Sequence, residues 1–187
     1  KPAHDLNIVG LAGINSLDDV GNACVVDIQV SALGGSMNAV SGILLAFFAR
    51  ERTGQGQYVD VSLYNPALSM EATAVSSLRG CQETGAEPFG RIAHYYNIYK
   101  TKDGKYRTVG TIEPKFWQEL CRLIGRDDLG SRQFDFAHGE ELGQALAEVF
   151  LLKTQQEWLA LIDDRDFCVT PVCSLAEALN SELTSES

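Results

Sequence analysis

An α/β fold in two parts is what this sequence predicts, divided between residues 80 and 90. Three observations predict it. Residues 28–49 carry no charge while their large side chains recur at helical spacing. Residues 57–63 alternate with period two, as a strand does. Residues 96–100 and 106–109 flank Asp103-Gly104 in the pattern of a β-hairpin.

Taken in order, residues 4–14 read as a short helix or turn and 15–22 as a polar loop. In the uncharged run, Leu33, Met37, Val40, Ile43, Leu44, Phe47 and Phe48 follow helical spacing. The run is long enough to raise a membrane span, but Gln29, Ser31, Ser36, Asn38, Ser41 and three glycines dilute it, so a buried helix is expected. Ser31, Gly35 and Ala39, at every fourth position, would let a neighbouring backbone approach. The helix should stop at Arg50-Glu51-Arg52-Thr53-Gly54, with cations over its carboxyl end and a glycine after it. A strand over 57–63, a helix over 64–79 and a turn-rich connection over 80–90 should follow. After the hairpin, Pro114 opens a helix through Leu123, closed by Gly125. Helices over 140–152 and 155–163, a short strand over 168–172 and a last helix capped by Ser174 complete the chain.

The composition belongs to an ordinary globular chain: 187 residues, 45% hydrophobic and 21% charged. That excludes a disordered tail or a multi-pass membrane protein. The formal net charge is −10 and the basic residues are scattered, which argues against a nucleic-acid partner. Five cysteines without CxxC spacing argue against a disulfide framework or zinc knuckle and for a reducing compartment. Three separated histidines form no local metal motif, so no metal is expected. Lys1-Pro2-Ala3-His4-Asp5 lacks the regions of a signal peptide, and a cytoplasmic location is expected.

Four residues are candidates for chemistry. His4, followed by Asp5, can titrate near neutrality, as a general base must. Glu113, before Pro114, could offset the positive end of a helix or orient an imidazole; local sequence leaves both open. Asp27 and Ser31 lie before or at the start of the uncharged helix, and both are natural capping types. Ser31 has no evident His-Asp relay in local sequence, so a serine hydrolase is not inferred.

Several separated segments carry a resemblance. They are His4-Asp5-Leu6-Asn7, Gly34-Gly35-Ser36-Met37 with Gly42-Ile43-Leu44, and Arg50-Glu51-Arg52-Thr53-Gly54-Gln55-Gly56-Gln57-Tyr58-Val59-Asp60-Val61. Further on come Tyr99-Lys100-Thr101-Lys102-Asp103-Gly104, Gly110-Thr111-Ile112-Glu113-Pro114-Lys115-Phe116 and Cys168-Val169-Thr170-Pro171-Val172. Together and in this order they resemble the family III CoA-transferases (CaiB/BaiF type), nearest the α-methylacyl-CoA racemase branch. The resemblance implies part of a Rossmann-like large domain over 1–82, a small α+β domain over 83–173 and the start of a return segment over 174–187. It also implies a fragment lacking the amino-terminal CoA-binding half, a homodimer, and an acyl-CoA thioester as substrate without metal or redox cofactor.

In the racemases a His assisted by a Glu faces an Asp across the α-carbon. One group removes the α-proton, an enolate forms, and the opposite acid returns a proton. By motif, His4 takes the histidine role and Glu113 the glutamate role. Anchored on Gly35-Ser36-Met37, the family's Asp position falls on Ser31, with Asp27 four residues earlier as a possible substitute. A serine hydroxyl is too weak an acid to stand in as a neutral-pH base. The expected activity is racemase-type α-proton exchange. The alternatives are CoA transfer between carboxylic acids, or a non-catalytic family member acting as a dimerising module. The transferase branch usually carries a glycine-rich loop near Ile112-Glu113-Pro114, which this sequence lacks.

Overall fold

A computed structural model describes residues 2–15, 24–84, 93–162 and 167–185. The chain forms two compact units, Lys1–Phe89 and Gly90–Ser187. Most of the expected 15–22 loop and residues 85–90 of the connection lie outside the described residues.

The described part of the first unit is helical: α1 (Asp5–Ala12), α2 (Val30–Thr53), α3 (Tyr64–Met70) and α4 (Ala72–Thr84). α2 ends as its sequence predicts. Gly54 adopts a left-handed φ of 69°, its N–H bonds the Arg50 carbonyl at 2.7 Å, and Arg50 and Arg52 occupy the last turn. The small residues of α2 admit its neighbours. A Cβ on Gly34 would lie 2.8 Å from the Pro66 Cβ of α3, one on Gly42 would lie 2.8 Å from Val59 Cγ1, and one on Gly35 would overlap Leu63. A small core of Val9, Ala12, Ile14 and Ala67 joins α1 to α3.

The helix expected over 64–79 is two, α3 and α4, parted at Glu71, and α4 runs on through residues 80–84 of the expected connection. Two further expectations are corrected by burial and pairing. α2 forms but is not buried: only Ser31, Gly34 and Gly35 are, while Met37 is 59% and Phe48 70% exposed. The small residues at its amino end make the close contacts, and the large apolar ones face outward within this chain. Residues 57–63 form no strand and pair with none among the described residues. Val59 and Val61 are half-buried in alternation, yet Val59 and Leu63 rest on the glycine positions of α2, which takes the place of a sheet partner.

The second unit follows its predicted order. β1 (Tyr96–Lys100), β2 (Tyr106–Gly110) and β3 (Val169–Pro171) form an antiparallel sheet in the order β1-β2-β3, with Tyr99 opposite Arg107 and Thr108 opposite Thr170. Gly104 supplies the left-handed φ of 79° in the hairpin turn. α5 (Pro114–Leu123), α6 (Gly139–Phe150) and α7 (Gln155–Ile162) cover one sheet face. Their apolar stripes meet it in a core that includes Tyr99, Val109, Trp117, Leu146, Phe150 and Trp158. The buried polar tips are paired: Trp117 Nε1 donates to the Leu129 carbonyl at 3.0 Å, and Trp158 Nε1 to that of Phe150 at 2.9 Å. Ser174 and Glu177 form a reciprocal capping box at the start of α8 (Leu175–Leu179), and α9 (Glu182–Ser185) follows. The architecture is thus helix-rich α/β with a small three-stranded sheet.

Candidate active site

His4 occupies the N-cap of α1, with extended backbone. Its N–H donates to Asn7 Oδ1 at 2.9 Å, and its carbonyl accepts from the Asn7 and Ile8 amides. These bonds fix the backbone and leave the imidazole exposed. The next residue, Asp5, reaches the start of α2. Its Oδ1 accepts from Ser31 Oγ at 2.5 Å and from the Ala32 N–H at 2.8 Å. Those donors, Ser31 Oγ foremost, hold the Asp5 carboxyl below its ordinary pKa; partial desolvation opposes them.

Ser31 is the second residue of α2 and is fully buried. Neither it nor Asp27 caps that helix. Gln29 sits at the N-cap without a side-chain bond, and Asp27 lies in an exposed bend ahead of it. The structure therefore brings Ser31 to Asp5, the neighbour of His4. It places Asp27 at the surface of the same unit.

Glu113 belongs to the second unit, at the N-cap of α5, where Pro114 opens the helix. Its carbonyl accepts from the Phe116 and Trp117 amides at 3.0 and 3.2 Å, while its side chain makes no capping bond and is exposed. The turn that carries it is held from below. Buried Gln133 donates through Nε2 to the carbonyls of Thr111 (2.9 Å) and Ile112 (2.8 Å), and Thr111 N–H bonds the Tyr95 carbonyl at 3.0 Å. The sequence gives no local signal for Gln133, a lone glutamine twenty residues beyond Glu113.

Among the described residues, no three His, Cys, Asp or Glu side chains converge as a metal site. A cleft of about 260 Å³ between α5 and the turn after it is lined by Gln118, Cys121, Arg122, Asp127, Gly130 and Ser131. None of the four candidate residues lines it. The Cys121 thiol is pushed up to about 12 by burial, helped by Asp128 and Asp127, so it is no nucleophile at neutral pH.

Comparison with known proteins gives a consistent result. The profile described as CoA-transferase family III matches residues 1–187. The α-methylacyl-CoA racemase of Mus musculus is 34% identical over 98% of this chain and 50% of its own length. That of Homo sapiens is 30% identical with the same coverage. The (R)-2-hydroxy-4-methylpentanoate CoA-transferase of Clostridioides difficile is 26% identical over 76% of this chain and 37% of its own. A crystal structure of the hypothetical protein Rv3272 from Mycobacterium tuberculosis superposes with a TM-score of 0.81 at 24% identity, covering all of this chain and 52% of that one, a likeness of fold. The chain spans about half the length of the curated racemases it matches.

Proposed function

The chain belongs to CoA-transferase family III, and from that premise we propose that it serves α-proton exchange on a 2-methylacyl-CoA thioester. Its first unit is then part of the family's Rossmann-like large domain. The observation that carries the reading is 34% identity to the Mus musculus racemase over 98% of this chain. CoA-transferases stand among the relatives as well; that of Clostridioides difficile is 26% identical over 76% of this chain.

In this reading the His4 imidazole accepts the α-proton. The C–H electron pair passes into the thioester enolate, and the imidazolium returns a proton to the same carbon. An imidazole suits the task because its ordinary pKa is close to neutral pH. Glu113 takes the family's glutamate role. An opposing carboxylate is wanting at position 31, where a buried serine stands. Exchange at one face is therefore expected to outpace inversion.

Incubation with 2-methylacyl-CoA in deuterated water tests this. One deuteron should enter at the α-carbon, and His4→Ala should slow its entry at least about a hundredfold, the scale of a lost acid/base group. No deuterium with demonstrably folded protein would exclude the reading. New acyl-CoA on addition of a second carboxylic acid would assign CoA transfer instead. Asp27→Asn decides the second arm: a loss beyond about tenfold makes Asp27 the carboxylate.

A further inference from the structure

Asp5 lies between the group the proposed chemistry uses and a neighbouring helix start: it follows His4 directly, and its carboxylate holds Ser31, at the family's Asp position. We propose that Asp5 is a positioning residue, tying the start of α2 to the start of α1 so that His4 and the Ser31-Ala32 turn are presented together. The proposal rests on the reading of His4 as the proton-accepting group.

The first amides of a helix have no partner within it, and a capping side chain usually supplies one. Gln29 makes no such bond, so α2 obtains its cap from another helix: Asp5 Oδ1 accepts from the Ala32 amide at 2.8 Å. The same oxygen accepts from Ser31 Oγ at 2.5 Å. Ser31 is fully buried, so its hydroxyl has no water to turn to if that oxygen is removed. Asp5 is also the first residue of α1, where a negative charge offsets the positive helix end. One carboxylate thus serves the amino ends of two helices. Its engagement keeps it ionised at neutral pH and makes it a weak base, which fits holding a neighbour better than moving a proton.

Three variants of the whole chain, Asp5→Ala, Asp5→Asn and Ser31→Ala, test the tie by deuterium exchange into 2-methylacyl-CoA. Asp5→Ala should lower kcat at least about tenfold, with KM within about twofold, because misplacement of a reacting group falls on the chemical step. Asp5→Asn keeps an acceptor oxygen at the same place and should recover most of the rate. Adding Ser31→Ala to Asp5→Ala should cost nothing further, since Asp5→Ala has already removed the Ser31 bond. An Asp5→Asn variant as impaired as Asp5→Ala would overturn the proposal by making Asp5 a proton carrier. An unimpaired Asp5→Ala would overturn it outright.

Should the parent chain exchange no deuterium, the function reading fails by itself, and the tie is then read from the Ala32 amide. Its hydrogen exchange should speed up at least about tenfold in Asp5→Ala and stay near the parent rate in Asp5→Asn. Equal exchange in all three would refute the tie independently of activity.

Discussion

His94 shows how one buried side chain can set a pH limit on the second unit. It is 3% exposed, packed edge-on against Tyr95 and Trp117, and its Nε2 has no hydrogen-bond partner among the described residues. Burial pushes its pKa below 6.5; hydrogen bonding at the Gln133 and Arg132 backbone and the Asp135 charge oppose this, and the Arg132 charge adds to it. Because the folded pKa is depressed, the unfolded chain binds the extra proton between that value and 6.5. Stability therefore rises with pH through this window. The contribution is fully present above 6.5 and is lost as pH falls through the folded value. The urea midpoint should fall between pH 7 and pH 5, and His94→Phe should flatten that fall. An equally steep fall in the variant would place the titration elsewhere.

At the scale of elements, the same substitution should have opposite signs in two helices. Gly34 and Gly143 both lie inside α-helices, where alanine gains about 1 kcal/mol of intrinsic propensity. Around Gly143 a new methyl would meet nothing within 4 Å, so Gly143→Ala should stabilise by about 0.5–1 kcal/mol. At Gly34 the methyl would press on the Pro66 ring, which cannot rotate away, and overpacking costs about 1–3 kcal/mol. Gly34→Ala should therefore lower the denaturation midpoint followed by circular dichroism, and a raised midpoint would show that α3 yields. The legibility of the elements follows the same divide between local and distant causes. Pro114 through Leu123 and the hairpin about Gly104 are encoded by their own residues, and both could be read directly. The period-two pattern of 57–63 identified which side chains turn inward but not what they turn to, which is a helix. In the same way the uncharged run announced α2 without saying which face would be covered. His4, Asp27, Ser31 and Glu113 could each be named from motifs. The bond that joins Ser31 to Asp5 spans 26 positions between two helices, and no local pattern marks it.

For the molecule as a whole, the outward face of α2 and the charge of −10 act against each other. Self-association through Met37, Val40, Leu44 and Phe48, all exposed, is the use of that face expected if the resemblance to a homodimeric family holds. Copies of like charge repel, and salt screens that repulsion while leaving apolar burial intact. Sedimentation should thus show the dimer fraction rising between about 50 and 300 mM sodium chloride, across which the Debye length shortens about 2.5-fold. Phe48→Glu should shift the population to monomer, and a dimer indifferent to it would use another face. The distribution of the aromatic core has an optical consequence of its own. Both tryptophans of the chain, Trp117 and Trp158, are buried in the second unit, and the first has none. Their ultraviolet emission will redden when that unit opens and stay silent while α1 to α4 melt. A single sharp fluorescence transition would therefore describe half of the chain, and only its coincidence with the loss of helical ellipticity would make it a transition of the whole.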